Sequence, residues 1–577
     1  MEEQKKLTGY PSIDKPWLKY YSEEAINAPL PECTIYEYLW ENNKDYPDDI
    51  AIIYYNRKIT YGELFREIDK TASALLALGV KQGEIVTVAL PSIPEALYAV
   101  YALNKIGAVA NMIHPLAGEQ ELCNYLNEVE GRVFLMFTGT YAIVKDALAQ
   151  TSVRTAVVVS PSQSLSPITK CLYRLKAKET KIKTSAGLMD WSSFLEKGKG
   201  ICAEKIEKDC HDMALISHTG GTTGEPKGVM CSDYNINALI YQIICNFQYS
   251  RQYACVSILP PFVNYSLLES MMAMLCIGFK VVLLPKYEPM KLGEYIKKHK
   301  PYVIFSIPAY LEALLKINDI EAIDMSCLRY IIYGGEAMED EKEAEINEVL
   351  QRCRARGRLL KGVGSTEMMA AATSTFEDCN EIGSAGVPLV WTNCKVVEQG
   401  TVHELSYDQE GEICFTGPSL MLGYYHNPNE TNAVVKHHPD GQRWLHTGDL
   451  GYVTEDGVIY ITGRIKRILM TKGSDGNATK IFPDRIEKVL PQHPAIDLCC
   501  VIGVQDEVRI NYPKAYVVLN SDFSGSEAMT QEIQAFCRDK LPGYMIPDEI
   551  EYCLDLPRTS RGKIDYRALE ERAAKEE

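Results

Sequence analysis

From Asp49 onward, short apolar runs of strand length alternate with longer stretches of helical spacing, and this rhythm constrains the fold most. Residues 50–55 predict a strand, residues 61–78 a helix, and residues 84–90 a second strand. A helix over 91–106 and a buried strand over 133–137 follow. Parallel neighbours need a crossover, usually a helix, so the alternation predicts α/β architecture with largely parallel sheets. Between about Glu410 and Gly463 the apolar runs shorten, and Asp440-Gly441 and Asp456-Gly457 predict hairpins, hence a β-rich subregion. A compact pattern comes next: helix 485–490, strand 498–504, strand 515–519 and helix 530–540, the outline of a small α+β domain. With the boundary at 464–466, a large N-terminal domain spans 1–465 and a small C-terminal domain spans 466–577.

The length supports that division, because 577 residues exceed the size at which one core normally splits. A net charge of −17 argues against a nucleic-acid-binding surface spread over the whole protein. Eighteen cysteines are scattered without a Cys-x-x-Cys pair, which predicts reduced, structural thiols. No run of 18 apolar residues occurs, so no transmembrane helix is expected. The opening Met-Glu-Glu-Gln-Lys-Lys lacks an apolar core for a signal peptide, and Ala-Ala-Lys-Glu-Glu is neither a prenylation box nor a peroxisomal tripeptide. A cytoplasmic location is the expectation. Lys170, Arg174, Lys176, Lys178, Lys181 and Lys183, opposed by Glu179 alone, allow peripheral contact with an anionic membrane, although a solvated loop is the simpler expectation.

The segment richest in chemistry is Thr219-Gly220-Gly221-Thr222-Thr223-Gly224-Glu225-Pro226-Lys227, directly after an apolar strand-like run. Its three glycines let backbone N–H groups turn towards an anion, while three threonine hydroxyls and Lys227 add donors and charge. A polyphosphate suits that set. A Walker A loop is excluded: before Gly198-Lys199 the first glycine is replaced by Ser193, and before Gly562-Lys563 by Pro557.

The segment resembles the phosphate loop of the adenylate-forming (AMP-binding) superfamily, and further motifs of that family follow in order between about residues 30 and 570. Gly334-Gly335-Glu336 resembles its adenine-edge strand end, and Gly364-Ser365-Thr366-Glu367 its Gly-x-Thr-Glu segment. There the resemblance implies that Thr366 meets phosphate and Glu367 holds Mg²⁺. Gly411-Glu412 through Gly417-Pro418, with Gly423-Tyr424-Tyr425, is similar to the central signature. Trp444 to Asp449 resembles the ribose segment, which gives Asp449 the ribose hydroxyls and leaves His446 without a role. Gly463-Arg464-Ile465-Lys466 resembles the hinge, with Arg464 reaching the nucleotide and Lys466 as pivot, and Arg558 to Ile564 the loop bearing the catalytic lysine, Lys563. The acyl-CoA synthetase branch implies ATP-dependent formation of an acyl-adenylate from a small-molecule carboxylic acid, release of pyrophosphate, transfer to coenzyme A, and a mobile C-terminal domain.

Elementary chemistry agrees with these roles. ATP and a carboxylate repel one another, so attack at the α-phosphorus needs charge neutralisation and positioning. A carboxylate with phosphate oxygens suits Mg²⁺, and a carboxylate's two acceptors suit a vicinal diol. Three departures mark this chain. Val363 stands where most members stack an aromatic ring on adenine, and Val263 replaces a histidine after Pro-x-Phe. An insertion, Ser474 to Lys480, follows the hinge. Neither Val263 nor Asn264 offers the charge an amino-acid ammonium needs, which disfavours amino-acid substrates. Candidate acyl-pocket positions are Tyr265, Ser266, Ile331, Gly334, Met338, Met368 and Ala370, mostly small or apolar. They predict a medium- or long-chain, or bulky cyclic, acid. Two alternatives stay open on residues alone: a ligase delivering to a carrier-protein thiol, and a non-enzymatic acyl or nucleotide sensor.

Overall fold

The computed structural model describes residues 7–144, 148–177, 187–219, 226–472, 478–506, 509–559 and 563–576. Among them, an eight-stranded sheet runs in the order 423–424, 228–232, 213–218, 109–112, 85–89, 133–137, 155–159 and 188–190. Its neighbours are parallel except around Gly228–Ser232, which runs antiparallel to both Met213–His218 and Gly423–Tyr424. A seven-stranded sheet orders 359–361, 330–333, 303–306, 254–257, 280–283, 50–54 and 57–60, parallel but for the hairpin Ile50–Tyr54/Arg57–Thr60. Strands covered on both faces read as unbroken apolar runs, which is why Val133–Phe137 and Ile85–Ala89 match the sequence expectation closely.

Local signals set the helix starts. Thr60 caps Tyr61–Ala77 through its hydroxyl while Glu63 reaches back to the Thr60 N–H, a reciprocal pair that satisfies two otherwise orphaned donors. Pro94–Lys105 is buried along its whole length, inside a core cluster shared by residues of both large sheets, such as Val88 and Val281. Its polar end is matched: Asn104 Nδ2 donates to Asp233 at 2.6 Å, and Asp233 is paired with buried Lys208 at 2.8 Å.

The β-rich subregion is an antiparallel sheet of Asn393–Val397, Gly411–Thr416, Arg443–Val453, Val435–His437 and Ile459–Arg464. Both Asp-Gly turns fall where expected, with Gly441 at φ +77° and Gly457 at φ +87°. The C-terminal unit pairs Ile496–Asp506 with Ile510–Leu519, packed under Pro483–Val489 and Glu527–Arg538. A third strand, Glu549–Cys553, adds in parallel, and Tyr566–Glu576 closes the unit; the sequence reading contained neither. The fold is thus a large α/β N-terminal region with a β-rich part, followed by a small α+β unit.

Two expectations change. The inserted segment after Gly473 is not all loop, since Ala478–Ile481 pairs with Leu469–Lys472; residues 473–477 lie outside the described residues. The basic stretch begins not as a loop but within the helix Pro167–Ala177, where Ile168 and Leu172 are exposed, while 178–183 lie outside the described residues. Among the described residues no helix is long and apolar enough to cross a membrane.

Candidate active site

The strand Met213–His218 delivers the chain to Thr219, and Gly228–Ser232 takes it back antiparallel. Two bonds join the residues on either side: Thr219 N–H donates to the Lys227 carbonyl, and Lys227 N–H donates to Thr219 Oγ1, both at 3.0 Å. Gly220, Gly221, Thr222, Thr223 and Gly224 lie outside the described residues. Lys227 Nζ pairs with Glu430 and lies 5.1 Å from the ring centre of Tyr424. The Tyr424 hydroxyl donates to Glu367 Oε1 at 2.6 Å, and Met421 N–H donates to the Glu367 carbonyl at 2.8 Å. Burial first, and the Glu367 carboxylate second, push the Tyr424 phenol well above its ordinary value, so it remains a donor. Lys227 and Glu367, far apart in sequence, therefore meet at one tyrosine.

The Gly364–Ala370 loop folds tightly on itself. A Cβ on Gly364 would lie 1.8 Å from the Ala370 carbonyl oxygen, so only glycine fits there. Thr366–Met368 forms a single 3₁₀ turn, with Met368 N–H donating to Ser365 O and Met369 held at φ +63°. Val363 is tied to Thr373, whose hydroxyl accepts its N–H at 2.9 Å. One Glu367 oxygen is committed to Tyr424, and its second oxygen has no hydrogen-bond partner among the described residues. A half-buried carboxylate with an uncommitted oxygen fits a hard cation such as Mg²⁺.

A second group assembles around Asp449, which is 9% exposed. Asp449 pairs in register with Arg464, whose Nε reaches its Oδ1 at 2.9 Å. Burial raises the Asp449 carboxyl; Arg464 opposes this, Asp484 adds to it, and Lys563 opposes it again. Burial likewise raises Glu336, against the charges of Lys563 and Arg558. The Lys563 charge is thus felt at both carboxylates. Gly335 at φ +88° turns the chain after Tyr330–Tyr333, and a Cβ on Gly334 would sit 3.2 Å from Gly362 O and 3.8 Å from the Tyr265 ring. Thr559 N–H donates to the Lys563 carbonyl at 2.7 Å, and residues 560–562 between them lie outside the described residues.

Lys466 lies in the short turn Ile465–Arg467. Arg464 N–H donates to Asp484 Oδ2 at 2.8 Å, and Arg467 pairs with Asp484 and, at 2.6 Å, with Glu487. Residues on both sides of Lys466 are therefore held by Asp484, from the helix Pro483–Val489.

The acyl-pocket positions separate. Tyr265 heads a π-helix, Tyr265–Ala273; its hydroxyl donates to Ile332 O at 3.1 Å and its ring meets Phe305 edge-on. Ser266 is fully buried and spends its hydroxyl on Leu259 O at 2.6 Å. Ile331 and Met338 share a buried cluster with Val256, Ile304 and Ile346. Met368 is buried in the cluster on the other face of the sheet, where Ala370 packs beside it. Sequence reasoning missed Tyr424's hydroxyl, Glu430 and Glu412 as supports. A polar residue inside each signature was the only available signal for Tyr424 and Glu412, and Glu430 had none.

The profile of the AMP-binding enzyme family matches residues 39–425, and that of the AMP-binding enzyme C-terminal domain matches residues 485–563. A long-chain-fatty-acid–CoA ligase of Bacillus subtilis (strain 168) is 31% identical over 568 residues, covering 96% of this chain and 97% of that protein. A probable 4-coumarate–CoA ligase 1 of Dictyostelium discoideum is 28% identical, covering 94% and 96%. Among solved structures, the anthranilate–CoA ligase AuaEII with anthranoyl-AMP superposes with a TM-score of 0.79 at 22% identity, covering 95% of this chain and 99% of that one. ATP-bound MatB from Rhodopseudomonas palustris gives 0.80 at 22%, covering 94% and 99%. These two share the fold. The chain belongs to the AMP-binding enzyme family, in the acyl-CoA synthetase branch of the adenylate-forming superfamily.

Proposed function

We propose that the protein converts a carboxylic acid and ATP to acyl-AMP and pyrophosphate, then transfers the acyl group to coenzyme A. The observation that carries this reading is that the structure gathers two groups: Lys227, Tyr424 and Glu367 in one, and Asp449, Arg464, Glu336 and Lys563 in the other. The first group suits a triphosphate, with Glu367 as the holder of Mg²⁺, which when bound would neutralise phosphate charge. The second suits a nucleoside: Asp449 accepts from the ribose hydroxyls, Arg464 reaches the nucleotide, and Gly334-Gly335-Glu336 follows the adenine edge.

In the first half-reaction a carboxylate oxygen attacks the α-phosphorus and the bond to pyrophosphate breaks. Lys563 lowers the repulsion between the two anions as a point charge. In the second, the small domain, residues 466–577, turns about Lys466, and the thiol sulfur of coenzyme A displaces AMP from the acyl carbon. Such a turn must release the Arg464 N–H from Asp484 or carry Arg464 away from Asp449. Val363 covers one face of adenine as an apolar wall in place of a stacked ring. For the acid, the apolar character of Tyr265, Met338, Met368 and Ala370 supports a medium- or long-chain, or bulky cyclic, substrate. The names of the relatives, fatty-acid and coumarate ligases, point the same way.

Pyrophosphate release across a panel of carboxylic acids, with and without coenzyme A, tests the proposal. Acid-dependent release that Lys563→Ala abolishes, with acyl-CoA as product, is expected. Acyl-AMP that accumulates without coenzyme A turnover would instead assign delivery to a carrier-protein thiol. No release with any acid would leave only a sensor.

A further inference from the structure

Behind Asp449 lies a chain of buried polar groups that the proposed reaction does not use. Glu412, His446 and His438 are 7%, 6% and 4% exposed. Glu412 Oε2 accepts from His446 Nδ1–H at 2.8 Å, and Glu412 Oε1 accepts from the Gly448 N–H at 3.1 Å. On its far side, His446 Nε2 is hydrogen-bonded to His438 Nε2 at 3.0 Å.

The strand register explains why such support is needed. Glu412 pairs with Leu450, but Cys414 pairs with His446, so Ile413 alone faces Thr447, Gly448 and Asp449. Three residues opposite one form a bulge, and bulged residues lose their ladder partners. The backbone donors that this frees are taken up locally. Gly448, at φ +74°, gives its N–H to Glu412, and Asp449 gives its N–H to Thr447 Oγ1 at 3.0 Å. The Thr447 hydroxyl in turn donates to Ile413 O at 2.7 Å. The direction in which Asp449 leaves the sheet therefore depends on a carboxylate in the next strand. Burial raises the Glu412 carboxyl, but His446 and the Gly448 N–H outweigh it and hold the group below its ordinary value, so it stays an acceptor.

We infer that Glu412 is a positioning residue for Asp449, aiming it at the ribose through Gly448, and that His446 fixes Glu412 in that role. The inference rests on the reading of Asp449 as the ribose acceptor. A residue that merely stabilises the sheet would weaken all nucleotides alike, whereas one that aims Asp449 affects only nucleotides with the hydroxyls Asp449 holds.

The test compares ATP with 2′-deoxy-ATP and 3′-deoxy-ATP, measuring dissociation constants by calorimetry on the full chain and KM against kcat in pyrophosphate release. Glu412→Ala should weaken ATP about tenfold while barely changing the deoxynucleotides, the scale of one charge-assisted hydrogen bond. Its ATP-to-deoxy-ATP ratio should fall to about that of Asp449→Ala, within roughly twofold. Glu412→Gln should recover most of the ratio, since its amide oxygen can still accept from Gly448 while its NH₂ faces His446 Nδ1. If Glu412→Ala does not fold, His446→Leu supplies the same comparison with the carboxylate in place. A wild-type ratio in a folded Glu412→Ala, or in His446→Leu should that serve instead, would overturn the inference while leaving Asp449's role intact. A wild-type ratio in Asp449→Ala would overturn the ribose reading, and the inference with it.

Discussion

Glu269 offers a direct test of how this core handles charge. It sits on the π-helix Tyr265–Ala273, is 2% exposed, and its Oε1 is buried without a hydrogen-bond partner. Burial alone lifts its carboxyl from the ordinary 4.5 to about 8. Across that interval the native chain keeps a proton that the unfolded chain has released. Stability contributed by the neutral acid is complete below pH 4.5 and is lost as the pH rises towards 8. The slope is about −1.4 kcal/mol per pH unit, so raising the pH from about 5.5 to 7.5 should cost roughly 2–3 kcal/mol at this one residue. Glu269→Gln keeps the shape and removes the titration. Glu95, fully buried with its carboxyl pushed up to about 7, adds a similar slope, but it does so in both proteins and cancels in the difference. The assay is calorimetric unfolding of wild type and variant, following the transition of the large domain at matched pH. The variant's stability relative to wild type should therefore rise by about 2–3 kcal/mol between about pH 5.5 and pH 7.5. Parallel stability curves would refute the reasoning, because a Glu269 that ionises normally has found water or a partner.

Gly364→Ala forces a methyl group onto the Ala370 carbonyl oxygen and the Ala371 Cα, so the Thr366–Glu367 turn must shift. Its kcat/KM for pyrophosphate release should fall at least about tenfold, because displacements of an ångström are costly at a positioned phosphate. Wild-type kinetics would show that the turn has no role. Lys208→Met strands the Asp233 carboxylate, with both side chains now almost wholly buried, and should destabilise the protein by about 3–5 kcal/mol in urea melts. Adding Asp233→Asn, which keeps an acceptor for Ile35 N–H but no charge, should recover most of that loss.

The central architecture was legible because its strands are buried on both faces and its helices carry their own start signals. Thr60 with Glu63 marks the first turn of Tyr61–Ala77, and Val133–Phe137 needs no alternation to be recognised. Where tertiary pairing decides, the signal fades. Glu549–Cys553 reads Glu-Ile-Glu-Tyr-Cys, a half-exposed edge strand, and only its ladder with Lys514–Val518 makes it one. The π-helix Tyr265–Ala273 escapes a search at the ordinary helical period, since its wider turn shifts which residues share a face.

At the site, the residues proposed to meet substrate could be picked out because the chemistry demands a particular type in a fixed short spacing. The supports obey no spacing. Tyr424 reaches Glu367 across 57 positions, Lys227 meets Glu430 across 203, and Glu412 takes the Gly448 N–H across 36. Each is fixed by which strand ends lie side by side, and the same local sequence on another sheet would leave it a surface residue. Glu412 shows the consequence most clearly. Its neighbours give it the look of an ordinary strand residue, yet the bulge at Thr447–Asp449 creates an unpaired N–H that only a buried acceptor in the next strand can satisfy. A sequence motif can thus specify the group that binds while leaving unstated the group that aims it, because aiming is a property of the register between strands.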